Sequence, residues 1–482
     1  MSAWPSVLLW VTLLAPLPLG LLALRHPPRQ MRRVVPVGAL LPLMTLLLLP
    51  GLGEEAQQGS LSLGGLALQW RLDPLAALLL LLTQLVLLAS ATYAVGHRRA
   101  ALPGVDAHAR FWPLLGGLAV ALGLIWVAAD LLLLYVGLEL MGLTAVGMML
   151  LPGKAEAIRA GLRYLLFALV GSLAWLLGVA LLLGAWGTLS LAELAAVAEP
   201  DAVTRIAMAL LAAGLLLKAA IFPLHGWLAP VHASAWTPVS AVHGALVVKG
   251  SFFILILLWR LLLPEAVTAA WALGLLGAVA VLWGGLKAWR ADTLKQVVAW
   301  STVGQLGYLM LAFPLLAGVA ASAAALAWQA TWLQLAGHAL AKAAMFMAAG
   351  NLMLSTGASR LEELAGTSRR LPLALMTFGV AAVTLMGLPP SAGFTAKWLL
   401  LQASLEAGQW LWAVVLVLGT LLTAAYVFRV LRCSFVEEAP RHEFQVLPRG
   451  TDLVPLLLAL AAVGLGLVAQ WPLALLREGG VP

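Results

Sequence analysis

Cysteine occurs once in the 482 residues, at Cys433. That excludes a disulfide framework within the chain, a cysteine-ligated iron–sulfur cluster and a thiolate zinc site. Charge is nearly as scarce: Asp, Glu, Lys and Arg together make up 10% of the residues, where a soluble domain carries roughly a quarter. No Gly-rich loop running into Lys-Ser/Thr, no metal-ligand spacing and no hydrolase nucleophile motif occurs, so the usual signatures of phosphate, metal and acyl chemistry are missing. Strict apolar/polar alternation is missing too, which rules out a closed β-barrel. The expectation is a chain without metal or cofactor whose redox groups, if it needs any, sit on other chains. Whether it belongs to an enzyme stays open at this point.

What is present is apolar sequence. Hydrophobic residues make up 63% of the chain and the mean hydropathy is +1.00. Runs of roughly twenty apolar residues, the length that crosses a hydrocarbon layer of about 30 Å, recur from end to end. In lipid the backbone must satisfy itself, so these runs read as helices. Fourteen spans are placed near 5–24, 34–51, 74–96, 111–129, 131–151, 157–185, 202–222, 238–262, 268–288, 294–314, 322–354, 371–388, 409–431 and 453–475. The seventh and twelfth are expected to continue as short second halves beyond prolines. Between the second and third, residues 52–72 alternate leucines with Gly and polar residues and suggest a small exposed hairpin. Met1 to Pro5 carry no basic n-region, so Met1 reads as the start of the mature chain.

The net charge of +8 could suggest nucleic acid, but the basic residues fall in short loops rather than one patch, and no nucleic-acid partner is expected. Alternate loops hold 19 and 4 of the 28 Lys and Arg. The rich set is Arg25, Arg29, Arg32, Arg33, Arg98, Arg99, Arg110, Lys154, Arg159, Lys287, Arg290, Lys295, Arg360, Arg369, Arg370, Arg429, Arg432, Arg441 and Arg449, and the poor set Arg71, Arg205, Arg260 and Arg477. By the positive-inside rule both termini face away from the cytoplasm, in a multi-pass protein of a bacterial-type inner membrane.

Five basic residues remain inside proposed spans: Arg163, Lys218, Lys249, Lys342 and Lys397. Arg163 lies close enough to a helix end to snorkel. Among the acidic residues only Glu139 falls at mid-span. An ionised group at the bilayer centre costs several kcal/mol, so such residues face a partner or a hydrated path. Burial also brings amines and carboxyls toward the range in which they exchange protons at neutral pH. A series of them can therefore relay protons, or each can be a structural pair.

Lys218 comes just before Phe222-Pro223-Leu224-His225-Gly226-Trp227, and Lys397 just after Gly387-Leu388-Pro389-Pro390-Ser391-Ala392-Gly393. Two Pro/Gly interruptions in apolar runs point to inverted repeats around a midplane ion path. The expected organisation is helices 1–3 in residues 1–110, one five-helix repeat in 111–262, its inverted partner in 263–432, and a loop with helix 14 in 433–482. His338 and Lys342, four residues apart, share a helix face. An imidazole beside an amine can hand a proton on; the alternative is a His bonded to a carbonyl and a Lys in a structural pair. Lys249 has no polar neighbour one turn away, and His243 lies six residues before it on another face. His225, His232 and His243 are accessory candidates, with the satisfaction of freed backbone groups as the equal alternative.

These motifs resemble the antiporter-like subunits shared by respiratory complex I, membrane-bound hydrogenases and multisubunit cation/proton antiporters. The segments that carry the resemblance are Leu138-Glu139-Leu140-Met141-Gly142, Lys218 with Pro223-Leu224-His225-Gly226-Trp227, Thr237-Pro238 with Lys249, Asp292-Thr293-Leu294-Lys295 with Ser301 to Tyr308, His338 to Lys342, and Gly387 to Lys397. The resemblance implies a coupling pair of Glu139 and Lys218, a central relay of Lys249, His338 and Lys342, and an exit group at Lys397. It also implies a proton-conducting chain, similar to the D-like component of the multisubunit cation/proton antiporters or its complex I or hydrogenase equivalent, among other membrane subunits. Protons move, with sodium or potassium exchange left open. Leu138 stands where that family often has Trp, and Lys397 departs from the branch with glutamate there. A rival expectation is an energy-coupling partner of a soluble protein in inorganic-carbon uptake.

Overall fold

The computed structural model describes residues 4–25, 31–49, 57–63, 66–96, 105–436, 444–447 and 450–478. Arg29, Arg98, Arg99, Arg441 and Arg449 of the basic loops, and the start of the expected hairpin, lie outside the described residues. The chain is helical almost throughout, as an all-α polytopic membrane protein should be. Helices α1 (Trp4–Leu14), α2 (Pro16–Arg25), α3 (Met31–Gly38) and α4 (Leu40–Leu48) precede a two-stranded hairpin of β1 (Gln57–Leu63) and β2 (Leu66–Leu72). There follow α5 (Pro74–Gly96), α6 (Val105–Val127), α7 (Leu131–Leu150), α8 (Ala155–Trp186), α9 (Leu191–Val197), α10 (Ala202–Lys218), α11 (Leu228–Ser234) and α12 (Thr237–Val242). One π-turn, His243–Val247, joins α12 to α13 (Val248–Leu262). The rest are α14 (Val267–Arg290), α15 (Leu294–Met310), α16 (Ala312–Leu316), α17 (Ala321–Thr356), α18 (Thr367–Arg370), α19 (Pro372–Met386), α20 (Ala392–Glu406), α21 (Trp410–Phe435), α22 (Leu453–Leu467) and α23 (Gln470–Glu478).

Among the described residues nine helical segments are long and apolar enough to cross a membrane, and α22 with α23, bent by 69°, makes a tenth. The other expected spans are helical but fall short of that measure. Val34–Leu48 and Pro372–Met386 are short, α10 has 17 residues, and the 36-residue α17 is interrupted by Gln329, Gln334, His338 and Lys342. Those polar positions are tolerated because α17 runs through the middle of the bundle, buried along most of its length, where neighbouring helices rather than lipid surround it.

Helix ends follow local chemistry. Asp130, Ser190, Asp201, Thr293 and Ser391 cap α7, α9, α10, α15 and α20 by accepting backbone N–H bonds, which satisfies donors that lack a partner in the first turn. The expected seventh span stops earlier than residue 222: α10 ends at Lys218, and the chain resumes as a helix only at Leu228. Pro223 carries no N–H and crowds the preceding turn, which favours a break there. The second break runs from Gly387, whose φ of +78° favours glycine, to Ser391.

The hairpin is less exposed than its sequence suggests. Gln69 accepts from the Ala129 N–H, and its own N–H donates to Asp130 Oδ2 at 2.5 Å. Ser190 reaches the Gln69 amide oxygen at 2.9 Å, so three loops poor in basic residues are tied together at one end of the bundle. At the other end, Thr293 bridges to Arg360 and Lys295 lies within electrostatic reach of Lys154, bringing basic loops together. Asp130 thus caps α7, accepting from Leu133 N–H at 2.6 Å, and anchors the hairpin. Asp130→Ala should cost about 2 kcal/mol, the upper range for a lost cap, read as a lower unfolding temperature in detergent. Amide exchange at Gln69 should speed up in step, and an unchanged exchange rate there would refute the anchoring role.

Candidate functional site

Glu139 sits in the middle of α7, and its carboxylate meets Lys218 at the C-terminal end of α10, with Nζ 2.9 Å from Oε1. Ser172 of α8 donates to the same oxygen. Three helices converge there because α8 and α10 approach at Gly171 and Gly214. A Cβ on Gly171 would lie 2.9 Å from the Gly214 carbonyl and 3.2 Å from Lys218 Cγ, so glycine makes room for the lysine stem as well as the backbone. Lys218 is buried, but 27% of the Glu139 side chain is exposed on a face that also shows Val136 and Leu143. Arg163, on α8, is exposed on the outside of the bundle.

The other three lysines have a different environment. Lys249 is fully buried, and its Nζ donates to Gly244 O at 2.9 Å. The sequence spacing leaves it without a neighbour one turn away. The π-turn supplies one, because the extra residue per turn shifts the carbonyl of Gly244 under the amine. Lys342 on α17, equally buried, crosses to α15 and donates to Val298 O at 2.8 Å and to Ser301 Oγ. Lys397 on α20 donates to Leu385 O at 3.0 Å, Met386 O at 3.1 Å and Thr420 Oγ1 at 3.3 Å, and lies 4.5 Å over the Tyr308 ring. The carbonyls it takes are those left open where α19 ends at the second break. None of these three lysines pairs with a carboxylate among the described residues; each is held on backbone carbonyls, with a hydroxyl as well for Lys342 and Lys397.

His338 is buried one turn before Lys342, within electrostatic reach of Lys249, Lys342 and Lys397. Both of its ring nitrogens lack a protein partner among the described residues, so the carbonyl-bonded alternative does not describe it. Buried polar atoms in that condition are normally met by water.

The accessory histidines divide. His232 on α11 stacks on Phe346 at 4.7 Å and lies within electrostatic reach of His243, Lys295, Lys342 and Lys249. His243 opens the π-turn with its Nδ1 3.0 Å from Val239 O, the backbone contact expected of a core histidine. His225 belongs to neither group: it stacks on Phe222 at 5.4 Å and meets the edge of Trp300 at 5.5 Å, near Lys287.

Several neighbours of the lysines have no role assigned from the sequence. Gln305 donates to Leu385 O at 3.0 Å, the carbonyl that Lys397 also uses, and accepts from Gln334 at 2.9 Å. Tyr426 lies against Ser301 and Gln305. Ser301, Gln305 and Leu385 O thus lie between Lys342 and Lys397 as polar groups in hydrogen-bond contact with one or the other lysine or with each other. A signal for them exists, since Gln334, His338 and Lys342 repeat every four residues and Ser301 and Gln305 do the same on α15, a polar stripe in each helix. Lys295 reads as a loop cation in the sequence, yet it is buried and donates to Ala235 O at 2.5 Å.

Residues 128–423 match the family described as NADH:quinone oxidoreductase/Mrp antiporter, transmembrane. The chain is 34% identical over 378 residues to NADH-quinone oxidoreductase subunit N of Desulforudis audaxviator, an alignment covering 77% of this chain and 73% of that one. Among solved structures it is similar to a chain of the Mrp complex from Dietzia sp., with a TM-score of 0.86, 24% identity and coverage of 99% and 97%. It is also similar to a chain of respiratory complex I from Thermus thermophilus, with a TM-score of 0.76, 27% identity and coverage of 99% and 100%.

Proposed function

Because the chain belongs to the NADH:quinone oxidoreductase/Mrp antiporter transmembrane family, we propose that its buried Glu, Lys and His residues conduct protons through the midplane of a multisubunit membrane complex. It is an antiporter-like membrane subunit of the complex I/Mrp type. In the proposed path Glu139 and Lys218 form the coupling pair, Lys249, Lys342 and His338 the central relay, and Lys397 the exit group. His232 and Lys295 extend it toward the basic end of the bundle. The chain crosses an inner membrane with both termini away from the cytoplasm, as fourteen spans in two inverted repeats, and moves protons, alone or against sodium or potassium.

The observation that carries this reading is the set of three buried lysines with no carboxylate partner among the described residues, held on carbonyls and two hydroxyls that neutral amines can also use. A permanent cation would be costly in that setting, whereas an amine that gains and loses a proton is suited to it. Ser301, Gln305 and the carbonyl shared with Lys397 line the intervening stretch with hydrogen-bonding groups that can orient water.

Gln305→Leu tests the path without touching a titratable group. It removes the hydrogen bonds to Leu385 O and Gln334, each worth about 1 kcal/mol, and should slow proton uptake into vesicles holding the assembled complex by about fivefold. Undiminished uptake at equal assembly would place the path elsewhere.

A further inference from the structure

Where the end of α14 meets the end of α21, a groove of about 620 Å³ opens on the outside of the bundle, lined by Trp289, Arg290, Ala425, Phe428, Arg429 and Arg432. The four α21 residues recur at three- and four-residue steps and so form one helix face. Trp289 is 45% and Phe428 61% exposed, which puts aromatic surface beside the cations.

The three arginines are not equivalent. Arg429 is committed to the protein: Nη1 donates to Ala291 O at 2.7 Å and to Trp289 O, and Nη2 lies 3.8 Å from Asp292, so it closes the last turn of α14. Arg290 and Arg432 have no hydrogen bond or ion pair among the described residues. The groove therefore holds two uncompensated guanidinium groups at the basic end of the bundle. Back along α21, exposed Leu421, Leu418 and Val414 continue the same side of the helix as an apolar stripe. Cations at one end and a bare apolar track leading away have the shape of an amphiphile.

We propose that this groove binds the phosphate of an anionic phospholipid between Arg290 and Arg432, with an acyl chain along the α21 stripe. Guanidinium forks match phosphate oxygens two at a time, and basic pockets between spans take anionic headgroups. Trp289 lies in the last turn of α14, a position at which an indole favours the membrane interface. A free phosphate would use the arginines but not the stripe.

The test is titration of the purified full chain, in its native assembly, with fluorescent phosphatidylglycerol in mild detergent. Each neutralised arginine should weaken binding about fivefold, so Arg290→Gln with Arg432→Gln should weaken it about twenty-five-fold. The matching double Lys variant keeps the charge but not the fork, so its affinity should fall between those of the wild type and the double Gln variant. Phosphatidylcholine should bind weakly to all forms, and millimolar inorganic phosphate should not displace the lipid. Equal affinity of wild type and the double Gln variant would overturn the proposal. So would displacement by inorganic phosphate, which would mark a free-anion site, or loss of a neighbouring subunit from the double Gln variant with lipid affinity intact, which would mark a protein dock. If the double Gln variant does not assemble, the single variants are read against the same fivefold expectation.

Discussion

Glu139→Gln is expected to lower proton uptake by about a hundredfold or more, the scale set by losing a positioned proton-transfer group, while the chain still inserts and assembles. The amide keeps the size of the carboxylate and still offers an oxygen to Ser172 and Lys218, 2.9 Å away in the native pair. In the proposed path, what it loses is the charge that would let Lys218 hold or release a proton according to the state of its partner. Lys218→Met should be as severe for transport and harder on stability, because it strands a carboxylate whose side chain is 27% exposed on an apolar face. Removing one member of a low-dielectric ion pair is generally worse than removing both. The double variant Glu139→Gln with Lys218→Met should therefore assemble better than Lys218→Met alone and transport no better. Rates would be taken in vesicles and normalised to assembled complex. A Glu139→Gln rate near wild type would remove the pair from the path.

Lys397 gives a sharper discrimination, because its surroundings explain it structurally without any proton transfer. Its amine covers the open Leu385 and Met386 carbonyls at the end of α19, where the helix C-terminus offsets part of the cost of a cation. Arginine could take over that duty with more donors, but it cannot deprotonate at physiological pH. If capping is all that matters, Lys397→Arg should work and Lys397→Ala should not. For an exit group both should fail, each by about a hundredfold. Room is tight, since a Cβ on Gly387 would lie 2.7 Å from Lys397 Cδ, so amide exchange around 387–391 is needed to show that the arginine variant keeps the break intact. Near-normal uptake by an intact Lys397→Arg complex would rule out the relay role.

The residues that stand out in the sequence do so because lipid makes charge conspicuous. Glu139, Lys218, Lys249, Lys342 and Lys397 are visible as exceptions inside apolar runs, and the prolines at 223 and 389–390 mark both breaks. The contacts are harder to read. Nothing in His243-Gly244-Ala245-Leu246-Val247 announces a π-turn, because its residues suit an α-helix equally well, so the partner of Lys249 is invisible in the sequence. Lys295 looks like one more loop cation, since only the packing of α15 against α11 decides that its amine turns inward to Ala235 O. Gln305 is uncharged and so raises no alarm, although its two hydrogen bonds tie α15 to both α17 and the second break. Span counting has the opposite weakness. Hydropathy registers composition, and the buried α17 is polar because protein surrounds it.

The open flank of α7 has a consequence for the cell that makes this chain. Val136 and Leu143 are 41% and 61% exposed there, a surface that lipid accepts, but the carboxylate between them is one that acyl chains solvate poorly. A copy inserted alone presents that carboxylate to the bilayer until another surface covers it. If a neighbouring subunit is what covers this face, an orphan copy would last only as long as that neighbour is lacking, and balanced synthesis of the two would follow from a single helix face.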